Sequence, residues 1–329
     1  MKPFRTEIPP IAVPFQVDHQ TRILALGSCF STEIGQYLHR GKFQVLPSPF
    51  GIVYHPTVLA RHRHRILTGT PYTNADLFFH DERWHSFDHH GHFSHPDPQI
   101  GLHRINQHLA EAHQHLADHN VLLLTLGSTR GFYHPTTDQI VANCHKLPQA
   151  HFERRSASPT EIAEALRGAL ELLWEKHPTT QVVLTVSPVR HLRDGLVDNQ
   201  RSKARLVLAT EQVLTSEARV HYFPAYEMLL DDLRDYRFYA RDYCHPSPEA
   251  IDYVWERFQQ AYCSETTRTL LQRIQKLVTA SRHRPFHPGR VAHQRFLRQQ
   301  LRALTQLERE YPQLDFQAER ALFEEHLLI

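Results

Sequence analysis

The sequence predicts an α/β fold of three layers, in which helices cover both faces of a parallel sheet. Three observations carry that expectation. Short aliphatic or β-branched runs recur along the chain, stretches of helical period separate them, and the runs stay apolar at successive positions. A strand covered on both faces reads in this way, because neither face meets water. With 329 residues the chain can bury a substantial core without disulfides or metal.

The first strand falls at Ile23 to Leu26 and passes through Gly27-Ser28-Cys29 straight into a helix, within "ILALGSCFSTEIGQYL". Phe43 to Leu46 forms the second. From about residue 60 to 100 the chain turns polar, aromatic and rich in histidine, which predicts an insertion over the mouth of the sheet, placed to act as a lid. Val121 to Leu126, Val182 to Val186 and Val220 to Phe223 complete the strands. Ser158-Pro159-Thr160-Glu161 offers an N-cap serine, a proline at the first helical position and a glutamate that closes a capping box. Ser247-Pro248-Glu249 opens another helix in the same manner. Beyond Thr266 the pattern is helical only, broken at "RHRPFHPGR" by Pro285, Pro288 and Gly289. The expected organisation is a main domain over residues 1–263, with the insertion at about 60–100, and a helical C-terminal extension over 264–329.

Composition narrows the function. Apolar residues make up 41% and charged residues 22%, the profile of an ordinary globular protein. A net charge of +2 argues for neither a nucleic-acid nor a membrane partner. The N-terminal stretch lacks the apolar core of a secretory signal, and no segment approaches the ~20 apolar residues that span a bilayer, so a cytoplasmic location is expected. Cys29, Cys144, Cys244 and Cys263 are scattered without paired spacing, which predicts reduced thiols rather than a disulfide framework or zinc ribbon.

In an open parallel sheet, ligands bind beyond the carboxyl ends of the strands where the strand order reverses, and the loop after the first strand commonly lies there. Gly27-Ser28-Cys29 occupies that loop. The helix start behind it offers unpaired N–H groups and a positive dipole end, which favour a thiolate and can hold an oxyanion. The alternative is that Cys29 is a small buried hydrophobe and Ser28 an N-cap. A base and an orienter are available far along the chain in "RDYCHPSPEA". Asp242 and His245 lie three apart before a helix, so the carboxylate can reach Nδ1–H and leave Nε2 facing outward. Otherwise Asp242 simply caps a turn.

These residues carry a resemblance. The chain is similar to the GSCFA-domain family, named after its Gly-Ser-Cys-Phe segment and placed among the SGNH or GDSL-like hydrolases. The likeness covers most of residues 20 to 315 and rests on seven blocks in order. They are "LGSCFS" (26–31), "SPFGIVYHP" (48–56), "WHSFDHHGHFS" (84–94), "LLLTLGST" (122–129), "VANCHKLP" (141–148), "LTVSPVRH" (184–191) and "YFPAYEMLLDDLRDYRFYARDYCHPS" (222–247). What the resemblance implies is a flavodoxin-like parallel sheet of the SGNH type, with residues 1–263 as the catalytic domain. The superfamily's first block is Gly-Asp-Ser-Leu with serine attacking; Gly27-Ser28-Cys29-Phe30 matches it with Cys29 in the serine's place and Ser28 in the aspartate's. Gly51 matches the second-block glycine whose N–H binds the oxyanion. The third block reads Gly-x-Asn-Asp in the superfamily, whereas Gly127-Ser128-Thr129-Arg130 lacks the asparagine, leaving Ser128, Thr129 or Asn143 as substitutes. The last block, Asp-x-x-His, matches Asp242 and His245.

Sulfur in place of oxygen has a chemical consequence. A thiol ionises at about 8.5, and a nearby histidine and a helix N-terminus are expected to lower it further. A thioester intermediate suits both hydrolysis and acyl transfer to an alcohol. The expected reaction is attack of Cys29, or Ser28, on an ester or thioester carbonyl, with His245 carrying the proton, Asp242 orienting it, and N–H groups of Cys29 and Gly51 holding the charge. Acetyl groups on a carbohydrate are the expected substrate, small-molecule esters being the wider class, with no cofactor beyond an acyl donor such as acetyl-CoA. The competing reading is a non-catalytic carbohydrate- or ligand-binding domain on a lapsed hydrolase fold. The segment 79–95 holds six histidines, and Asp88, His85, His89 and His92 could ligate metal, but the spacing fits no zinc signature; a polar substrate wall is expected and no metal. Asn143-Cys144-His145 is poor geometry for a dyad because successive side chains diverge, though His145 can line the pocket. Arginines from Arg282 to Arg302 precede an acid-rich tail and are expected to pair with it rather than with nucleic acid.

Overall fold

The computed structural model describes residues 5–116, 120–287 and 289–327; of the expected helix breakers, Pro288 lies outside them. A five-stranded parallel sheet forms from β1 (Arg22–Gly27), β2 (Gln44–Pro47), β5 (Asn120–Leu126), β9 (Gln181–Val186) and β10 (Val220–Tyr222), in the spatial order β10-β9-β5-β1-β2. These are the five runs read from the sequence. The order places the second strand outside the first and the later ones on its other side, so the direction of winding reverses between β1 and β5.

Alternate residues of each strand enter opposite layers. Ile23, Ala25, Val121, Leu123 and Val183 pack with Phe30, Ile34 and Leu38 of α1 (Cys29–Arg40) and with Val254, Trp255 and Phe258 of α7 (Pro248–Tyr262). Leu24, Leu26, Leu122, Leu124, Val182 and Leu184 pack on the other face. There they meet helices α2 (Pro56–Thr68), α3 (Pro98–His115), α4 (Pro159–Lys176) and α5 (Leu196–Leu214). Each fully buried Leu, Ile or Val contributes roughly 1.5–3 kcal/mol, which is why the runs carry no polar alternation. Ser158 accepts from Glu161 N while Glu161 reaches back to Ser158 N, the expected capping box. Ser247 accepts from Ala250 N at the start of α7.

Two excursions rise from the sheet. Residues 60–68 belong to α2, an ordinary crossover helix, so the expected insertion is shorter than read: it starts at the left-handed cap Gly69 and ends at Asp97, the N-cap of α3. It holds the hairpin β3 (Phe78–His80) and β4 (Arg83–His85). A second excursion was not foreseen: β6 (Arg130–His134), β7 (Gln139–Val141) and β8 (Glu153–Ser156) form an antiparallel sheet in the order β7-β6-β8 directly after β5. A short turn, α6 (Ala225–Glu227), follows β10.

The C-terminal helices α8 (Glu265–Ser281), α9 (Val291–Glu310) and α10 (Gln317–Glu325) close around their own core of Leu270, Ile274, Leu277, Leu304, Leu307, Phe316 and Phe323. Leu271 of α8 instead joins the main core, and Lys42 pairs with Glu319 at 2.8 Å. The tail's acids pair with Arg273 and Arg320. The six arginines between 282 and 302 are exposed, and among the described residues none makes an ion pair, which corrects the expected pairing. Among the described residues no helix is long and apolar enough to cross a membrane.

Candidate active site

Gly27 ends β1 with φ +148°, and a Cβ there would lie 2.4 Å from Thr125 O of β5. Only glycine lets the first strand finish this close to its neighbour. Ser28 takes the N-cap position of α1, but its hydroxyl makes no capping bond; it is buried and without a partner among the described residues. Capping is therefore not its role. Cys29 is the first residue of α1 and partly buried. Burial pushes its thiol above the ordinary value, against the pull of the Phe30 and Cys29 backbone N–H groups and of Lys203. The depressed thiol expected from the helix N-terminus is thus reversed, because desolvation outweighs the dipole. Cys29 and Gly127 follow β1 and β5, so they flank the point where the strand order reverses.

His245 donates from Nδ1 to Asp242 Oδ2 at 2.6 Å. Asp242 Oδ1 also accepts from Cys244 N (2.9 Å) and His245 N (3.0 Å). The histidine ring and these N–H donors hold its carboxyl down to about 2. The aspartate both caps its turn and orients the imidazole, so the two readings of Asp-x-x-His coexist. Nε2 makes no hydrogen bond among the described residues, and the pair is about half exposed. The segment is tied to the rim by Arg190 N, from the loop after β9, which donates to Cys244 O at 3.0 Å. His245 acts electrostatically on His191 of that loop, whose ring lies 5.3 Å from that of Tyr54.

The expected oxyanion donors divide. Gly51 has φ +83° and His90 Cβ 2.3 Å from where its own Cβ would stand, which explains the glycine. Its N–H, however, already donates to Ser48 O at 2.7 Å, so it is spent inside the turn. Gly127 N–H donates to Tyr54 O at 2.9 Å. Ser128 Oγ accepts from Arg130 N and meets Ser202 Oγ, while Thr129 bonds to Ser156 and Ser202. Both hydroxyls fasten the loop and neither is a free donor. Asn143 differs: its Oδ1 accepts from His145 N, whereas Nδ2 makes no hydrogen bond among the described residues. It lines a cleft of about 450 Å³ with Ile52, Tyr54, His90, Phe132 and Arg193.

His145 does not line that cleft. Its Nδ1 meets His85 Nδ1 at 3.1 Å and its Nε2 bonds to Ser86 O at 2.8 Å, pinning the insertion to the loop after β7. Asp88 is held by Arg61 (3.0 Å from Nε), and His89 Nδ1 bonds to Ser86 Oγ. His90 and His92 bond to each other at 2.9 Å. Among the described residues no group of three or more His, Cys, Asp or Glu could hold a metal ion. The segment's histidines are engaged in hydrogen bonds and ring packing within the insertion and with its neighbours.

One residue of the site escaped the sequence reading. Lys203 of α5 is fully buried and its Nζ donates to Gly127 O (2.8 Å) and Ser187 O (2.6 Å), bridging the ends of β5 and β9. The signal was present: on α5 the buried stripe runs Asn199, Ser202, Lys203, Leu206, Ala209, Thr210, Val213, so four polar residues occupy core positions of an amphipathic helix.

The fold is a three-layer α/β/α domain, with Cys29 at its topological switch point and the Asp242–His245 segment tied to the loop after β9. The chain belongs to the GSCFA family: residues 22–258 match that family and residues 274–329 match the GSCFA domain protein C-terminal domain. One solved structure from Streptococcus pneumonia, given provisionally as a platelet activating factor, is similar over 73% of this chain and 82% of its own, at 11% identity and a TM-score of 0.38. No curated protein matches the chain.

Proposed function

We propose that the protein is an acyl-ester hydrolase or O-acyltransferase of the SGNH type that uses Cys29 as nucleophile, acting on acetyl groups of a carbohydrate. The observation that carries this reading is the 2.6 Å bond from His245 Nδ1–H to Asp242, which leaves Nε2 as an unoccupied base on the rim that also bears Cys29. Because burial keeps the thiol protonated, attack needs that base. The S–H proton passes to His245 Nε2 as sulfur bonds to the carbonyl carbon, and Asp242 stabilises the imidazolium. The N–H groups of Cys29 and Phe30 and the amide of Asn143 receive the oxyanion. Collapse expels the alcohol with the proton from His245, leaving a thioester. Water or a sugar hydroxyl then attacks, its proton taken by His245 and returned to sulfur. An acyl donor such as acetyl-CoA would serve the transfer direction; no other cofactor is called for. A ligand-binding domain without turnover is the second reading, favoured by the engaged N–H of Gly51.

Turnover of p-nitrophenyl acetate and acetyl transfer to oligosaccharides, measured for wild type and four variants, tests the proposal. Cys29→Ala and His245→Ala should lose at least about 10²-fold in kcat/KM, Asp242→Ala less, and Ser28→Ala little. Wild type as inert as Cys29→Ala would favour the binding module.

A further inference from the structure

The cleft that Asn143 lines carries positive charge for which the acyl-transfer steps above have no use. We infer that this cleft is the subsite for an anionic part of the substrate, a phosphate or carboxylate on an apolar or ring-bearing body, held by Lys146 and Arg193. The inference names the substrate class of the proposed reaction and in that respect rests on it.

The cleft's volume of about 450 Å³ falls in the range of small-molecule sites. Its walls are mostly apolar or aromatic, with Phe132 and Phe152 set edge to face at 6.1 Å. Lys146 and Arg193 line it, and no carboxylate does. The acid beside Arg193 in sequence is engaged elsewhere: Asp194 pairs with Arg154, and with Arg130 at 3.9 Å. Among the described residues neither Lys146 nor Arg193 makes an ion pair. The Cys144 thiol on the same wall is pushed up to about 11 by burial and is neutral. Two cations thus share the cleft with no anion of the chain's own, a donor set that suits phosphate or carboxylate. The backbone at Lys146 is a second observation. His145 and Lys146 have φ of 48° and 62°, a left-handed region that side chains other than glycine disfavour. His145 N donating to Asn143 Oδ1 and Leu147 N donating to Cys144 O at 3.0 Å hold the turn there. Strain kept in place by such ties gathers where a chain holds a ligand. The cleft also adjoins the reacting rim. Tyr54 lines it, with Cβ 2.6 Å from where a side chain on Gly127 would begin, and Ser28 Cβ is 3.4 Å from the same point.

Titration calorimetry of the full-length protein at low salt tests this, with coenzyme A as the phosphate probe, trigalacturonate as the carboxylate probe and galactotriose as the neutral one. Wild type should bind one of the anions at least about tenfold more tightly than galactotriose, and Lys146→Met and Arg193→Met should each weaken it by about tenfold. Arg309→Met, which removes the same charge on α9, should leave it unmoved. Preference for coenzyme A would assign the subsite to the acyl donor, and preference for trigalacturonate to an acidic sugar. No binding of either anion, galactotriose bound as tightly, or equal affinity in both cleft variants would each overturn the inference. These readouts need no turnover. Charge-dependent binding in a protein that cleaves no ester would sink the acyl-transfer reading alone; an active esterase indifferent to both anions would sink this one alone.

Discussion

Gly27 shows how much of the site is decided by one missing side chain. Alanine there would put a Cβ against Thr125 O and hold a left-handed backbone angle. Overpacking typically costs 1–3 kcal/mol and the angle about another 1–2. Gly27→Ala should therefore lose about 2–5 kcal/mol in urea unfolding, by a lower midpoint at unchanged slope, and should displace Cys29 enough to cut its alkylation rate. The Gly-Ser-Cys and Asp-x-x-His segments were legible because strand-to-helix junctions and turns carry local signals. Lys203 was not, since a lysine on a helix reads as surface until the stripe it belongs to is known to face the sheet. The protonated state of Cys29 was hidden for a related reason: spacing reports a helix start, whereas burial depends on the cluster that α7 and the sheet pack around it from elsewhere in the chain.

At the scale of elements, the five strands and the capped helices were legible because each obeys one period. The sheet β6-β7-β8 was not. Its strands are short, and β8 is exposed throughout, so "FERRSAS" shows no apolar face. The insertion's histidines were visible, but not their purpose or that of the two outside it that touch them, His62 of α2 against His89 and His145 after β7 against His85. His62 and His145 are buried and held down to about 4, His89 falls well below its ordinary value, and desolvation is the first cause in each. His62 and His145 are neutral when folded and would take a proton at about 6.5 when unfolded. Between pH 6.5 and 4 the unfolded chain binds more protons, so their stabilisation is complete above 6.5 and lost as pH falls toward 4, by at most about 3 kcal/mol each. The insertion should loosen before the sheet. Hydrogen exchange at pH 5 against pH 7.5, with rates corrected for intrinsic chemistry, should show loss of protection concentrated in residues 74–95. His62→Phe should move that loss to lower pH, its ring already lying edge-on to Phe50; equal loss across β1, β5 and β9 would show that the histidines do not act locally.

For the molecule as a whole, the question is whether the C-terminal helices unfold with the main domain. They have a core of their own, yet α8 serves both units: Leu271 packs in the main core while Ile274 and Leu277 pack in the other. The Lys42–Glu319 pair adds a second tie, its side chains only 16% and 10% exposed. Such a link makes one transition the expectation for the intact chain. Phe323 is 1% exposed inside the small core, and Phe323→Ala should cost about 3–5 kcal/mol, a large share of what a unit of that size can hold. The variant should unfold in two steps, and the tryptophans allow the steps to be told apart. Trp84, Trp174 and Trp255 all belong to the main domain, so fluorescence follows that unit, whereas circular dichroism at 222 nm follows helices in both. In wild type the two denaturant curves should coincide. In Phe323→Ala the dichroism curve should begin to fall first, with Cys29 alkylation unchanged until the fluorescence moves. Coincident curves in the variant would mean that α8 welds the helices to the sheet too tightly for the C-terminal unit to melt alone.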